Sequence, residues 1–482
     1  MQKRFLAGVI CGVLAVSLCG CKKEKVDYAQ EETVHTDLDA ATSDEGKVYT
    51  EGIAEALGAE SEIRETFTTD DGEQIGIYGD VIVPDVQSLN VYRTTARSID
   101  TELKKQLVDA FSDDGVIYSA EDDMLPREAI QQYIYGCKAE LAVIEELNEE
   151  ETAPEDCREW LAEEQEKLAY YEELSVDAKD DYVPTSYDAW EEGTVVILHD
   201  DIPYYMTADE TSVSCYAVDY KLVLEGVPTD CVAVSGHVDY RDRRLPENDD
   251  ERAQLADASE RFSKELGVGL FSVDDYDDIW YGLFTMYRDE DANTLDYAMG
   301  YRMHLSRVLD GAKVDASNYS TTMVEMLAEE PESDKMLLYH PLESMDILLD
   351  ESYQVIGFEY DSPLCMPEVE TPQVPLLPYE TVKETLLKSL AENPVADGSS
   401  WMSSGLMLTY NFEYNYSDLE LLYFRMENPE REGEYLLIPV WRLRVSKSSD
   451  NPQNACMINA IDGSRINIPG ELFDWTEMES EE

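Results

Sequence analysis

An acidic stretch, DEDANTLD at residues 289–296, carries the side chains best suited to bind a metal ion. Its oxygen-bearing side chains are Asp289, Asp291, Asn293 and Asp296. Oxygens at positions 1, 3 and 5 are how a calcium-binding loop begins. Position 6, which needs glycine, is Thr294, and position 12 is Gly300 instead of a bidentate glutamate. The stretch also lies between strand-like segments, where a polar hairpin loop is the simpler expectation, so calcium binding here is the weaker reading.

A second candidate is the carboxylate of Asp462, inside the strand-like run MINAIDGSRI. It could be a catalytic acid, a metal ligand or the corner of a hairpin. Asp-Gly between alternating apolar residues is the strongest short-range signal for a hairpin turn with positive φ. A similar LDGAKV occurs at residues 309–314, so we predict that Asp462 is a turn residue.

Motifs of known enzymes are missing from the sequence. It contains no G-x-S-x-G, H-E-x-x-H, G-x-x-x-x-G-K-[ST] or G-x-G-x-x-G, the patterns of serine hydrolases, zinc peptidases and nucleotide-binding proteins. The five histidines are scattered, and 105 Asp and Glu make any carboxylate pair uninformative. The sequence therefore favours a protein that is not an enzyme and needs no cofactor. A hydrolase without a recognised motif stays open.

The N-terminus has the pattern of a secretory signal. Lys3 and Arg4 precede an apolar run at 5–18, which is shorter than the ~20 residues that span a bilayer. The run ends in LCGC, which resembles the lipobox of bacterial lipoproteins. The resemblance implies that residues 1–20 are removed and that Cys21 carries a diacylglycerol lipid with acyl chains such as palmitate. Two acyl chains anchor a protein stably, which predicts a place on the outer face of the cytoplasmic membrane. The alternatives are cleavage elsewhere or an uncleaved anchor.

The net charge of the chain limits the classes of partner that it can bind. Asp and Glu number 105 against 36 Lys and Arg, for a net charge of −69. Such a surface repels nucleic acid and favours cations, basic peptides or basic protein faces. The simpler interpretation is that the charge keeps an exported protein soluble. With 43% hydrophobic residues, the chain can still form folded cores.

Six of the nine cysteines lie beyond both the N-terminal signal and the predicted lipidation site at Cys21. They are Cys137, Cys157, Cys215, Cys231, Cys365 and Cys456. No C-x-x-C occurs, and six cysteines in so long a chain do not form a disulfide scaffold. We expect most of them to be small buried side chains.

Hydrophobic patterning divides the chain into segments. Residues 21–60 are polar and acidic, as in a disordered tether, and 61–121 form an N-terminal α+β region. Residues 122–178 carry a helical pattern and predict an antiparallel helical hairpin. This hairpin is either packed on its own domain or an exposed arm that binds a partner.

Two β-rich modules are predicted to follow, at 185–330 and 331–482. VSGHVDY in the first is matched by VIGFEYD in the second. In each module a helical segment, long tyrosine-rich strands and an Asp-Gly hairpin come next, in that order. The tyrosines also suggest stacking on sugar rings, although their alternation favours packing on a sheet.

The C-terminal stretch resembles a PepSY-type module, whose closing strands read roughly P-x-W … N-A-x-D-G. The matching residues are Pro439, Trp441, Asn459, Ala460, Asp462 and Gly463. The resemblance implies a helix packed on an antiparallel sheet. Such modules occur in secreted peptidase propeptides and in extracytoplasmic regulators of sensor kinases. The whole chain also resembles uncharacterised lipoprotein families of Gram-positive anaerobes.

Together these features predict an α+β fold of repeated helix-on-antiparallel-sheet (PepSY-like) modules with an inserted helical hairpin. The predicted function is a lipid-anchored, non-enzymatic protein that binds a protein or peptide and modulates an envelope sensor, protease or wall enzyme. The alternatives are a lipoprotein that binds a small ligand or glycan for a transporter, and the hydrolase without a motif.

Overall fold

A computed structural model describes residues 47–69, 72, 74–149, 157–190, 193–200, 202–217, 249–282, 297–316, 322–323, 335–339, 342–350, 352–392, 416–445, 455–466 and 470–474. This part of the chain is a mixed α+β protein, mostly strands in two large sheets with few helices. The predicted fold class is confirmed at that level.

The helices of the described chain are α1 Ile53–Leu57, α2 Thr101–Phe111, α3 Arg127–Glu149, α4 Cys157–Asp177, α5 Asp249–Leu266 and α6 Tyr379–Glu392. Single 3-10 turns span Asp122–Met124 and Tyr187–Ala189. The strands are β1 Glu62–Thr68, β2 Gln74–Ile82, β3 Val91–Thr95, β4 Tyr118–Ser119, β5 Gly193–His199, β6 Ile202–Ala208, β7 Ser212–Ala217, β8 Phe271–Gly282, β9 Tyr297–Leu309, β10 Ala312–Lys313, β11 Thr322–Met323, β12 Lys335–Tyr339, β13 Ser344–Asp350, β14 Val355–Asp361, β15 Glu368–Thr371, β16 Tyr416–Glu427, β17 Glu434–Val445, β18 Ala455–Asn459, β19 Arg465–Ile466 and β20 Gly470–Asp474.

The first sheet joins the two ends of the described chain. Its order is β1-β2-β16-β17-β18-β19, and β3 lies between β17 and β15. Strands β2 and β16 pair in parallel. Helix α6 covers one face with Val382, Leu386 and Leu390, spaced four residues apart as a helix core face requires. Each fully buried leucine stabilises this packing by roughly 1.5–3 kcal/mol.

Pro439 lies in the middle of β17, where a missing N–H would normally break a sheet. On the side to which its carbonyl points, β17 pairs with β3 up to Leu437 and with β18 from Val440 onward. The Pro439 carbonyl accepts from Ala460 N at 3.0 Å. The proline therefore lies where β17 changes neighbours, and no ladder bond from its nitrogen is lost.

The second sheet has the order β10-β9-β13-β14-β7-β6-β5-β4, with β8 paired to β9. Helices α2 and α5 pack on one of its faces. Asp100 begins α2 by accepting a hydrogen bond from Leu103 N at 2.8 Å, as an N-cap residue does. Phe111 of α2 meets Phe262 of α5 and Phe358 of β14 edge-to-face, at 5.7 and 5.6 Å between ring centroids.

A group of six buried or half-buried charged side chains joins the two large sheets. This interface cluster consists of Asp274, Lys313, Asp315, Glu420, Arg442 and Arg444. Arg442 donates to Asp315 and, at 2.9 Å, to Glu420. Asp274 accepts from Arg444 at 2.7 Å and from Lys313 at 3.0 Å. Burial alone would raise the pKa of Asp274, but the three cations outweigh it and hold that pKa well below its usual range.

Three predicted boundaries differ from the structure. Residues 47–60, which were assigned to the tether, belong to the first sheet's core, because Tyr49, Ile53 and Leu57 are buried there. The sequence did not predict this because the few apolar residues of the segment lie among acidic ones. The region 61–121 is divided between both sheets.

The contiguous modules 185–330 and 331–482 are also wrong as structural units. Strands β13 and β14 pair with β9 and β7 of the second sheet, although they belong to the predicted second module. The order of helix, long strand pair and Asp-Gly turn does recur, in α5-β8-β9-β10 and in α6-β16-β17-β18-β19. The motif VSGHVDY lies outside the described residues.

Candidate functional site

Most residues predicted to carry chemistry lie outside the described chain. Cys21 is one of them. The calcium candidates Asp289, Asp291, Asn293 and Asp296 fall between β8 and β9, in the undescribed residues 283–296. Among the residues that the structure covers, no group of three or more His, Cys, Asp or Glu is arranged to hold a metal ion.

Asp462 is a turn residue, as predicted, but its turn is wider than a two-residue hairpin. Its Oδ1 accepts from the backbone N of Ser464 at 2.8 Å and from the Ser464 hydroxyl at 2.6 Å. The positive φ of 81° belongs to Gly463. The loop closes through Asn459, whose N–H donates to the Ser464 carbonyl at 2.8 Å.

The second Asp-Gly pair does form the tight turn. Leu309 pairs with Ala312, and Asp310 and Gly311 between them have φ of 49° and 84°, as in a type I′ turn. The Asp310 carboxylate also accepts from Tyr92 of the first sheet. This contact, after burial, raises the pKa of Tyr92 to about 12. The turn thus ties the second sheet to the first.

The other residues of the PepSY-type pattern have structural roles. Trp441 is fully buried and its ring lies 5.6 Å from that of Tyr379 on α6. Asn459 is also fully buried, and its side-chain carbonyl accepts from Ile461 N at 2.9 Å. These contacts hold the closing loop together and pack β17 against the helix.

A polar row crosses the second sheet on the face opposite α2 and α5. Asp346 of β13 lies in register with Glu359 of β14 and His304 of β9. Arg302 Nη2 lies 2.5 Å from both Asp346 Oδ2 and Glu359 Oε2. His304 Nδ1 lies 2.7 Å from Asp346 Oδ1. Sequence analysis missed this row because β9 is separated in the chain from β13 and β14 by residues 310–343.

The carboxyl groups on this face of the sheet have pKa values that are shifted in opposite directions. Burial would raise the pKa of Asp346, but His304 and Arg302 lower it to about 2. Burial and then Asp361 raise the pKa of Glu359 to about 7, although the ion pair with Arg302 opposes that rise. Burial and then Asp346 raise the pKa of Asp361 to about 6. A carboxyl with a lowered pKa beside one with a raised pKa is the pairing used in general acid–base catalysis, but here Asp346 and Glu359 lie on a sheet face and both bind Arg302.

An open cavity of about 420 Å³ lies elsewhere, at the start of α2. Its walls include the rings of Tyr187 and Trp190 and the carboxylates of Asp100 and Asp188. Lys104 also lines it, and its buried ammonium donates to the Trp190 carbonyl at 3.0 Å. Aromatic and polar side chains together suit a small polar ligand.

The helical hairpin predicted at 122–178 is present as α3 and α4, which we call the arm. Its helices run antiparallel. Arg127 donates to the Ser175 carbonyl at 2.7 Å, and the rings of Tyr133 and Tyr171 stack at 5.0 Å. Lys138 Nζ lies 3.0 Å from Glu172 Oε1. Residues 150–156, where the hairpin was predicted to turn, lie outside the described chain.

The arm has a hydrophobic core of its own. The buried members are Leu125, Ala129, Ile130, Ile134, Cys137 and Tyr171. Within the described chain, this cluster and the side chains packed on it come from residues 125–182, and neither large sheet contributes to it. The hydroxyls of Tyr133 and Tyr205 bond the base of the arm to β6.

Further along the arm, the structure describes the burial of only some side chains. Leu141, Ile144 and Leu161 are only half-buried, and Trp160 is 41% exposed. The seam of α4, where a core side chain is expected, holds Glu164, which is 8% exposed. Its Oε2 lies 3.3 Å from Lys167, but its Oε1 has no hydrogen-bond partner among the described residues.

The cysteine prediction is confirmed where the structure describes thiols. Cys137, Cys215 and Cys456 are buried and Cys365 is half-buried, and these four described cysteines form no disulfide. Burial raises the pKa of the Cys215 thiol well above its usual value, which keeps it protonated and unreactive. In the same part of the chain, we find no helix with both the length and the apolar character needed to cross a membrane.

Comparison with known proteins gives little further information. No protein-family model matches the sequence, and no curated protein matches it. Similar solved structures include that of an uncharacterised protein from Eubacterium rectale, with a TM-score of 0.37 and 10% identity over 86% of this chain and 97% of that chain. A likeness this distant supports no argument about function.

Proposed function

We propose that this protein is a lipid-anchored, extracytoplasmic, non-enzymatic protein that binds a protein or peptide partner. Through that partner it modulates an envelope sensor, a protease or a wall enzyme. The observation that carries the proposal is the arm, which extends beyond the core at its base and leaves apolar side chains exposed. A helical hairpin of this kind offers an elongated contact surface without a catalytic site.

The location rests on the LCGC signal and Cys21. Changing Cys21→Ala removes the only thiol that the lipobox pattern would acylate, so the protein is expected in the medium. The matched control, Cys365→Ala, changes a half-buried thiol far from the N-terminus and should leave the protein on the membrane. Retention of the Cys21→Ala protein on membranes would refute the anchor.

Partner binding is tested by cross-linking the tagged full chain in cells and identifying captured proteins by mass spectrometry. Repeated recovery of one membrane sensor, protease or wall enzyme supports the proposal. Recovery of a transporter would instead support ligand delivery, and no partner at all would contradict both.

A PepSY-like module is part of the same proposal. It is supported by α6 on the antiparallel strands β16 to β19 and by the closing loop around Asn459 and Gly463. The relation to propeptides and sensor regulators is consistent with a regulatory role.

A small-ligand or glycan-binding role is the second candidate, because of the cavity lined by Tyr187 and Trp190. A Tyr187→Ala variant that loses binding in a screen of soluble oligosaccharides would favour it over the first proposal.

A further inference from the structure

We infer that the cavity at the start of α2 receives the ammonium group of a lysine side chain from the peptide or protein partner. The inference rests on the proposed function, since it assumes such a partner, and it names the chemistry that the cavity recognises. It depends on the walls of the cavity, on the carboxylates that line it and on the ring of Tyr187.

The aromatic walls of the cavity are held in place by hydrogen bonds. The Trp190 indole N–H donates to the Gly193 carbonyl at 3.0 Å, and the Tyr187 hydroxyl donates to the Gly115 carbonyl at 3.3 Å. A ligand would therefore not have to order these side chains when it binds. The volume of about 420 Å³ is also within the range of ligand pockets in proteins.

The charge of the cavity is negative. Asp188 is exposed and makes no hydrogen bond or ion pair with any residue that the structure describes. Asp100 accepts from Leu103 N with Oδ1 at 2.8 Å, and its Oδ2 has no hydrogen-bond partner elsewhere in the described chain. The one cation among the described lining residues is Lys104, whose ammonium donates to the Trp190 carbonyl at 3.0 Å. Two carboxylates against one ammonium leave an unmatched negative charge, which attracts a cation.

The ring of Tyr187 favours an organic cation over a neutral sugar. Lys105 Nζ already lies 5.8 Å from its centroid, within the distance of a cation–π interaction. Lys105 does not neutralise the cavity, because its ammonium is paired with Asp109 Oδ2 at 2.6 Å. A lysine carries its charge on a compact group at the end of a flexible stem, so it can enter the cavity while its peptide backbone stays outside.

Saturation-transfer NMR with short peptides tests the inference on the full-length protein in a neutral detergent. The probes are the capped tripeptide Gly-Lys-Gly, its norleucine counterpart, which lacks only the ammonium, and free cadaverine. We expect Gly-Lys-Gly to bind, with the strongest saturation at the lysine ε-methylene, and the norleucine peptide not to bind. Binding should weaken as salt is raised, because exposed charges are screened.

The Asp188→Asn variant tests the carboxylate directly. It should raise the dissociation constant for Gly-Lys-Gly about fivefold, the factor that one ion pair at contact distance contributes in water. Because Asp188 makes no bond within the described chain, the variant should fold normally, which thermal unfolding checks. Asp85→Asn changes a matched exposed carboxylate in the loop after β2 and should leave the dissociation constant unchanged.

Absent binding of Gly-Lys-Gly, equal binding of the norleucine peptide, or a dissociation constant that Asp188→Asn does not change would overturn the inference. Binding of cadaverine without Gly-Lys-Gly would overturn it too, since the cavity would then take a free amine. If the peptides fail but cross-linking in cells still recovers a partner, the proposed function stands without the cavity. If Gly-Lys-Gly binds as expected but no partner is recovered, the selectivity of the cavity stands and the proposed function fails.

Discussion

At the scale of single residues, Asp310 and Asp462 show how one dipeptide serves two turns. Both precede glycine, yet only Asp310 itself has positive φ. Asp462 instead binds Ser464 with its carboxylate. The difference follows from the strands, because β9 and β10 pair directly across two residues whereas β18 and β19 are joined by a longer loop.

Substitutions at Asp462 should therefore separate its hydrogen bonds from its charge. Asp462→Asn keeps an oxygen acceptor and should change the free energy of unfolding by less than about 0.5 kcal/mol, whereas Asp462→Ala should cost about 1 kcal/mol. Gly463→Ala should cost about 1–2 kcal/mol, since its φ of 81° disfavours a side chain. Urea unfolding measures all three. If Asp462→Asn lowered the free energy of unfolding much more than Asp462→Ala did, the turn role of Asp462 would be contradicted.

Asp361 should make stability depend on pH. Its pKa of about 6 in the folded protein exceeds the unfolded value near 3.9, so the folded state binds the extra proton. Stability should fall as pH rises from about 4 to about 6, by on the order of 1–3 kcal/mol. Asp361→Asn should make that part of the curve less steep in urea unfolding between pH 4 and 7, and the raised pKa of Glu359 accounts for the slope that remains. Asp257→Asn, at an exposed carboxylate on α5, should keep the wild-type slope.

At the scale of elements, the arm is stabilised unevenly. Its base has a closed apolar core, while the seam further out contains Glu164, whose Oε1 has no hydrogen-bond partner among the described residues. An unsatisfied buried acceptor costs about 1–3 kcal/mol. The outer part of the arm should consequently open more readily than its base.

Glu164→Leu should remove this cost and stabilise the arm by about 1–3 kcal/mol. Hydrogen exchange in peptides of α3 and α4 should slow, while exchange in the two sheets stays as in the wild type. Glu163→Leu, which changes an exposed neighbour, should slow exchange little. Equal effects of the two variants would show that Glu164 is not a seam residue.

Elements with local signals could be predicted from the sequence. The helix over Thr101–Phe111 has its cap and its core side chains Leu103, Leu107 and Phe111 within one segment, and the arm likewise satisfies its core locally. The pairing of β14 with β7, and of β2 with β16, could not be predicted. Alternating apolar residues mark a strand but do not specify a distant partner, so the polar row around Asp346 was also hidden.

At the scale of the whole molecule, the interface cluster holds the two sheets together. Its three carboxylates and three cations balance, and Arg442, Asp315 and Glu420 are nearly inaccessible to solvent. Backbone bonds reinforce it, since Asp315 N donates to the Tyr423 carbonyl at 2.8 Å. A buried network of this kind tolerates the loss of one partner poorly.

Arg442→Ala should lower the free energy of unfolding by about 3–5 kcal/mol, because it leaves buried carboxylates without a counter-charge. Arg431→Ala, whose side chain is 43% exposed, should cost less than about 1 kcal/mol. Thermal unfolding compares the two variants directly. Similar losses would mean that the cluster contributes no more than a surface ion pair.

The parallel pairing of β2 with β16 also has a consequence for how the chain folds during its synthesis. Strand β2 (residues 74–82) can pair with β16 (residues 416–427) only after β16 has been synthesised. A ribosome-bound fragment that lacks β16 to β19 therefore cannot complete the core of the first sheet. Contacts so far apart in sequence slow folding. A chain whose first sheet closes only after residues 416–427 have been made stays unfolded long enough for the export that we propose.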